Sequence, residues 1–193
     1  MSRVIGARAV AVVLPMLAAL TVGSARVAVA QDAFDAKATA HIRDQYVADM
    51  DSTHVKLVAL AKAIPAEKYS WRPSAGVRTV SEVLMHIVGE WYFYGPRSIG
   101  GKEPADFGAP KEKLPALEKI TTKAAVLAEL DKSWAYCKAQ FAAAKPADLT
   151  GKYKPWGMTI DQAAFGMTGD QHEHLGQLIA YARSIGVTPP WSK

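Results

Sequence analysis

Cysteine is almost missing from this chain: Cys137 stands alone. No disulfide can close within a single molecule, so packing must hold the fold. Cys137 falls in line with Leu130, Trp134 and Phe141 at helical spacing, which reads as a small buried hydrophobe rather than a reactive thiol. Period-two alternation of polar and apolar residues is also missing over any useful length, which argues against a sheet. There are no internal repeats and no low-complexity tracts. Long apolar runs are absent except at the start, from Ala9 to Val22, where Pro15 and Thr21 interrupt the run. That segment is shorter than the roughly 20 residues a membrane span requires. Histidine is scarce too, at positions 41, 54, 86, 172 and 174, so the placement of each one carries information.

The N-terminus has the order of a secretory signal. Arg3 and Arg8 precede the apolar run, and Ala28-Val29-Ala30 supplies a small-residue exit before Gln31. The expectation is a signal peptide over residues 1–30, cleaved after Ala30. It would leave a periplasmic or secreted domain over 31–193 with no stable membrane span. Without the peptide the chain loses three arginines and no acid, and its formal charge falls from +5 to +2. So balanced a chain offers no electrostatic footprint for nucleic acid. The remaining length suits one domain with a substantial core.

Four segments have helical period. In the first, about Asp35 to Ile64, the residues Val47, Met50, His54, Leu57, Ala61 and Ile64 recur at spacings of three and four, and Pro65 closes it. The second runs from Thr79 to about Tyr94. Thr79 and Glu82 form a capping box, Val83, Leu84, Ile87 and Trp91 belong to an apolar face, and Pro96 is expected to stop it. The third, about Thr122 to Ala144, aligns Val126, Leu130, Trp134, Cys137 and Phe141. The fourth, Thr159 to Ile185, opens on a second capping box (Thr159 with Gln162) and ends before Gly186. This pattern predicts an all-α fold, a four-helix bundle. The connection from about Arg97 to Thr121 is rich in Gly, Pro and Lys. It is long enough to cross the bundle, which would let helices two and three run parallel.

Helical geometry sorts the histidines. His172 and His174 lie about 200° apart around one helix and cannot grip one ion together. His174 shares the apolar stripe with Met167, Gln171 and Leu178, whereas His172 points to solvent beside Glu173. Asp170 sits one turn before His174, so the two side chains are neighbours. His86 lies on helix two between Val83 and Glu90, at the margin of the apolar face. A bundle can bring such residues together in its interior. Two imidazoles and a carboxylate would then form a three-ligand metal site with a position left open. The same spacing also fits a local Asp–His hydrogen bond and a hydrogen-bonded core histidine. His54, between Met50 and Leu57, fits a core histidine, a fourth ligand, a ligand's partner or a general base. His41 reads as solvated. The run Trp91-Tyr92-Phe93-Tyr94 wraps around its helix, so some of it must face a pocket or an interface; a homodimer stays open.

Two blocks resemble the DinB-like superfamily. Residues 64–93, IPAEKYSWRPSAGVRTVSEVLMHIVGEWYF, are similar to its first loop and second helix. Residues 170–192, DQHEHLGQLIAYARSIGVTPPWS, are similar to its last helix and tail, above all in His174-Leu175-Gly176-Gln177 and the GVTPP exit. The resemblance implies a four-helix bundle with a long crossover connection between helices two and three. It also implies a divalent metal, often zinc or nickel, in a three-histidine site. His86 and His174 match two of those ligands; the third position holds Asp170 here. Aspartate ligates zinc, and two histidines with one carboxylate also suit iron. The expected metal set is therefore His86, Asp170 and His174, with zinc first and nickel or iron admitted, and with His54 or Glu90 for proton transfer. Some relatives are thiol-dependent transferases or isomerases. Export weakens that version, because small thiol cofactors are scarce outside the cytoplasm. A metal-dependent hydrolase or transferase acting on a small molecule is the leading expectation. The alternative is a non-catalytic module that binds a metal or small ligand in envelope stress, and a third reading is a site decayed to a structural Asp–His pair.

Overall fold

Asp35 accepts a hydrogen bond from the Ala38 N–H at 2.7 Å and so caps the first helix, α1 (Ala36–Ala63). The computed structural model describes residues 34–152 and 156–192. The apolar run and the Ala30 cleavage site lie outside the described residues. Helix α1 stops at Ile64, just before Pro65.

Helix α2 (Val80–Gly89) starts on a complete capping box. Thr79 Oγ1 accepts from the Glu82 N–H at 3.2 Å, and the Glu82 carboxylate accepts from the Thr79 N–H at 2.7 Å. Pro96 does not end this run, contrary to the expectation. The chain widens into a π-helical turn over Glu90–Tyr94, in which the Gly95 N–H bonds the Glu90 carbonyl five residues back, and then continues as a short helix α3 (Gly95–Ser98). Pro96 has no N–H for the carbonyl four residues earlier, and its ring crowds that carbonyl. The wider turn immediately before it relieves both problems. The turn also sits beside α5 (Lys123–Ala143): a Cβ on Gly95 would lie 2.7 Å from Cys137 Sγ, so any larger residue there forces a shift.

The long connection holds a helix of its own, α4 (Pro110–Leu117), with Pro110 at its start and Pro115 inside it. The last helix is α6 (Ile160–Ser184), where the Thr159 N–H donates to Gln162 Oε1 at 3.1 Å. No strand forms among the described residues. Helix α1 packs on α6 and α5, and α2 packs on α5 and α6, which gives a four-helix bundle.

The directions follow from residue pairs. The start of α1 meets the end of α5 through Thr39 and Pro146, and Lys123 at the start of α5 bonds Lys62 and Ile64 at the end of α1. These two helices are antiparallel. Along α2 and its extension, Tyr92 meets Glu129, Gly95 meets Cys137 and Lys102 meets Gln140, so α2 and α5 run parallel. The crossover makes this arrangement possible.

Met50 and Leu57 of α1, Leu84 and Ile87 of α2, Leu130 and Phe141 of α5, and Leu178 of α6 are buried together. Each contributes roughly 1.5–3 kcal/mol on burial, which holds the chain without a disulfide. Cys137 is buried among them, and burial pushes its thiol well above the ordinary value. Trp91 and Tyr92 are buried, while Tyr94 is exposed.

Candidate metal centre

Glu90 is the first residue of the π turn and lies one helical turn after His86. Its carboxylate is almost fully buried, at 6 % exposure, so it needs partners. Oε1 lies 3.1 Å from His86 Nε2 and 3.7 Å from His174 Nε2. Oε2 accepts a hydrogen bond from Nε2 of Gln171, which is fully buried on α6. The two imidazoles stand nearly perpendicular, with ring centres 5.1 Å apart. One ligand-type atom from each of His86, Glu90 and His174 can be chosen so that all three lie within 4.8 Å of one another.

The far sides of both rings are anchored. His174 Nδ1 is hydrogen-bonded to Gln177 Oε1 at 3.1 Å, Gln177 Nε2 donates to the Tyr181 hydroxyl at 2.9 Å, and that hydroxyl donates to the Arg78 carbonyl. His86 Nδ1 lies 3.3 Å from Glu118 Oε1, which also receives Arg78 Nε at 3.1 Å. Acceptors at both Nδ1 atoms favour the tautomer that carries its proton there and leaves the Nε2 lone pair free to bind an ion.

The charges respond to this crowding. Burial alone would raise the Glu90 carboxyl, but its close approach to His174, His86 and Asp170 prevails and brings it down to about 2. Asp170 moves the other way: burial, and then its hydrogen bond to Glu90, push it up to about 6. The neighbouring Glu90 carboxylate raises His174 above its ordinary value. Glu90 is thus the group its neighbours hold ionised, with Asp170 shifted the opposite way beside it.

A family model described as DinB superfamily matches residues 49–178. The chain belongs to the DinB superfamily. No curated protein matches it.

In this DinB-superfamily chain His86 and His174 meet across α2 and α6, and Asp170 stands at the edge of the same cluster, with Oδ1 3.8 Å from His174 Nε2. The carboxylate between both imidazoles is Glu90, which the sequence placed among proton-transfer groups. His54 belongs to another environment: its Nε2 lies 2.9 Å from Asp131 Oδ1, not aligned as a hydrogen bond, and its ring packs on Trp91 and Trp134. Burial lowers its pKa, with the Asp131 charge opposing. His172 is half-exposed, 2.9 Å from Asp49 on α1, and His41 is exposed.

Three residues around the centre escaped the sequence reading. Gln171 was seen only as part of the α6 stripe, although a buried amide there must find a polar partner. Gln177 stands inside the His174-Leu175-Gly176-Gln177 step, where the three-residue spacing to His174 is a usable signal. Glu118 lies at the end of α4, in a segment with no readable period.

Beside the cluster opens a cavity of about 390 Å³ with His86, Glu90 and Asp170 on its wall. Its size is within the range of small-molecule sites.

Proposed function

We propose that this protein is exported and binds one divalent ion through His86, Glu90 and His174, and that the bound ion serves a hydrolytic or transfer reaction on a small molecule. The observation that supports it is the convergence of one ring nitrogen from each imidazole and one carboxylate oxygen within 4.8 Å, beside an open cavity. Ligands of a single ion with bonds of about 2.0–2.1 Å lie within roughly 4 Å of each other, so small torsional adjustments of the imidazoles suffice. Two imidazoles and one carboxylate form a donor set used by catalytic zinc and by non-haem iron. Zinc is the ion we propose. We assign the carboxylate bond to Glu90 rather than Asp170, because Glu90 faces both imidazoles and Asp170 approaches only one within 4 Å.

When bound, a divalent ion supplies Lewis acidity to a substrate oxygen. The chain's own residues do the rest. Gln171 fixes Glu90 through Oε2 and leaves Oε1 toward the imidazoles. Gln177 and Glu118 set the ring orientations. Asp170, on the cavity wall beside Glu90, is placed to hold or pass a proton at its carboxyl. His54, next to Trp91 and Trp134, serves the packing between α1 and α5.

Export rests on the basic start, the apolar run and the Ala28-Val29-Ala30 exit. N-terminal sequencing of the secreted or periplasmic product should begin at Gln31; retention of Met1 or Ser2 would defeat it. The metal reading is tested by elemental analysis of the purified protein, and the catalytic reading by a hydrolase and transferase screen of the metal-loaded form. Full occupancy without turnover of any ester, amide or thiol-transfer substrate would favour a binding module.

A further inference from the structure

The cavity beside Glu90 has a composition that selects a ligand. Tyr94 and Trp156 stand at it with ring centres 5.9 Å apart and planes inclined by 31°, and Phe93 meets the Trp156 ring nearly edge-on at 6.4 Å. Met158 and Met167 line it with thioethers, and Gly166 leaves part of the wall without a side chain. Trp156 and Tyr94 are both about 40 % exposed, an unusual placement for large aromatic groups that neighbours have not covered. The titratable groups of the described lining are His86, Glu90 and Asp170, and no lysine or arginine is among them. The nearest aromatic-bound cation, Arg97, lies 4.8 Å from the Phe93 ring centre and is held in a two-pronged pair with Glu103, with both contacts at 2.7 Å. Its charge is already matched.

From this we infer that the cavity takes a neutral aryl- or alkyl-bodied small molecule bearing one compact metal-binding head, the body lying against Trp156, Tyr94, Met158 and Met167 and the head reaching Glu90 and His86. The head rests on the metal reading above; the body does not. Soft thioethers and aromatic faces bind apolar and aromatic bodies well and gain nothing from an anionic one. Among the described residues the lining offers no lysine or arginine to pair with an anionic tail. The volume is two to three times the roughly 150 Å³ that encloses a benzene ring, so one or two rings with a short head can be held. A peptidic thiol cofactor rich in carboxylates fits this lining poorly.

The body and the head can be tested separately on the full mature chain. In the metal-free protein, N-phenyl-1-naphthylamine, a neutral two-part aromatic dye, should bind saturably with a rise in fluorescence. Its sulfonated analogue, 8-anilino-1-naphthalenesulfonate, has the same skeleton with a negative charge and should bind at least about tenfold more weakly. Trp156→Ala, at an exposed site that leaves the bundle intact by circular dichroism, should raise the neutral dye's Kd by about tenfold, the worth of a lost aromatic contact. In the zinc-loaded protein, benzohydroxamate should bind at least about tenfold more tightly than acetohydroxamate, which has the same head and no ring, and Trp156→Ala should erase that preference while leaving acetohydroxamate affinity unchanged. Equal or tighter binding of the sulfonated dye, or indifference of the neutral dye to Trp156→Ala, overturns the assignment of the body. Binding of the dye as expected with neither hydroxamate bound supports the body and overturns the metal reading on which the head depends.

Discussion

Glu90 Oε1 stands 3.1 Å from His86 Nε2, one turn away along the chain, and 3.7 Å from His174 Nε2 on another helix. A π turn adjoins this relationship. It begins at Glu90, so the residue keeps α-helical spacing to His86 while the chain beyond departs from it. Single-turn π insertions are frequently found at functional sites.

The partners that orient the centre should matter nearly as much as the ligands. Glu118→Ala frees His86 Nδ1, and Gln177→Ala frees His174 Nδ1. Each should weaken zinc binding by about 10–100-fold while leaving the thermal midpoint of the metal-free protein nearly unchanged. Competition against a chromophoric zinc chelator measures this, and unchanged affinity in both variants would remove the orienting role.

Gly95 and Cys137 should be energetically coupled. A methyl group on Gly95 would meet Cys137 Sγ at 2.7 Å, so Gly95→Ala should destabilise by about 1–3 kcal/mol as an overpacked core. In a Cys137→Ala background the obstruction is gone, and most of that loss should disappear. Urea denaturation of the four proteins of the cycle gives the coupling directly; additive losses would contradict the packing described.

The α2 capping box should make stability fall in acid. The Thr79 N–H hydrogen bond lowers the Glu82 carboxyl below its ordinary 4.5, with burial opposing and Arg72 and Arg78 adding to the lowering. A carboxyl that is more acidic in the folded state stabilises the fold above the unfolded pKa and loses that contribution as pH falls through the folded one. Glu82→Ala should therefore lower Tm at pH 6–7, with the difference from the parent shrinking below pH 4.5. Thr79→Ala, which removes the other half of the box, should cost about 1 kcal/mol, or roughly 2–4 °C for a chain of this size. A Tm difference for Glu82→Ala that does not change between pH 7 and pH 3 would contradict the assignment.

Much of the fold was legible because local signals agreed. Spacings of three and four, Pro65 after α1 and the Thr79 and Thr159 caps set the helix positions closely, and the length of the connection left room for parallel α2 and α5. The π turn was not legible. Pro96 reads as a stop, and only the tertiary fit of Gly95 against Cys137 shows that the helix instead widens and continues. Helix α4 carries two prolines and no apolar stripe, so neither it nor the reach of Glu118 to His86 could be read from its own residues. At the centre, the i, i+4 spacing singles out Asp170–His174 in the sequence, and His86–Glu90 has the same spacing. What separates the two carboxylates is burial, 6 % exposure for Glu90 against a partly open Asp170, and that depends on which helices pack together.

The central claim is that one ion is held by His86, Glu90 and His174. The measurement is metal content by elemental analysis, on protein purified without chelator and then dialysed against limiting zinc. The parent should hold about one ion per chain, as expected of a three-ligand site with an open position. His86→Ala, Glu90→Ala and His174→Ala should each hold almost none. Asp170→Ala should retain most of the ion, and His172→Ala, altered on another face of α6, should match the parent. A parent that binds no ion, or a Glu90→Ala variant that binds as the parent does while Asp170→Ala loses the ion, would contradict the account.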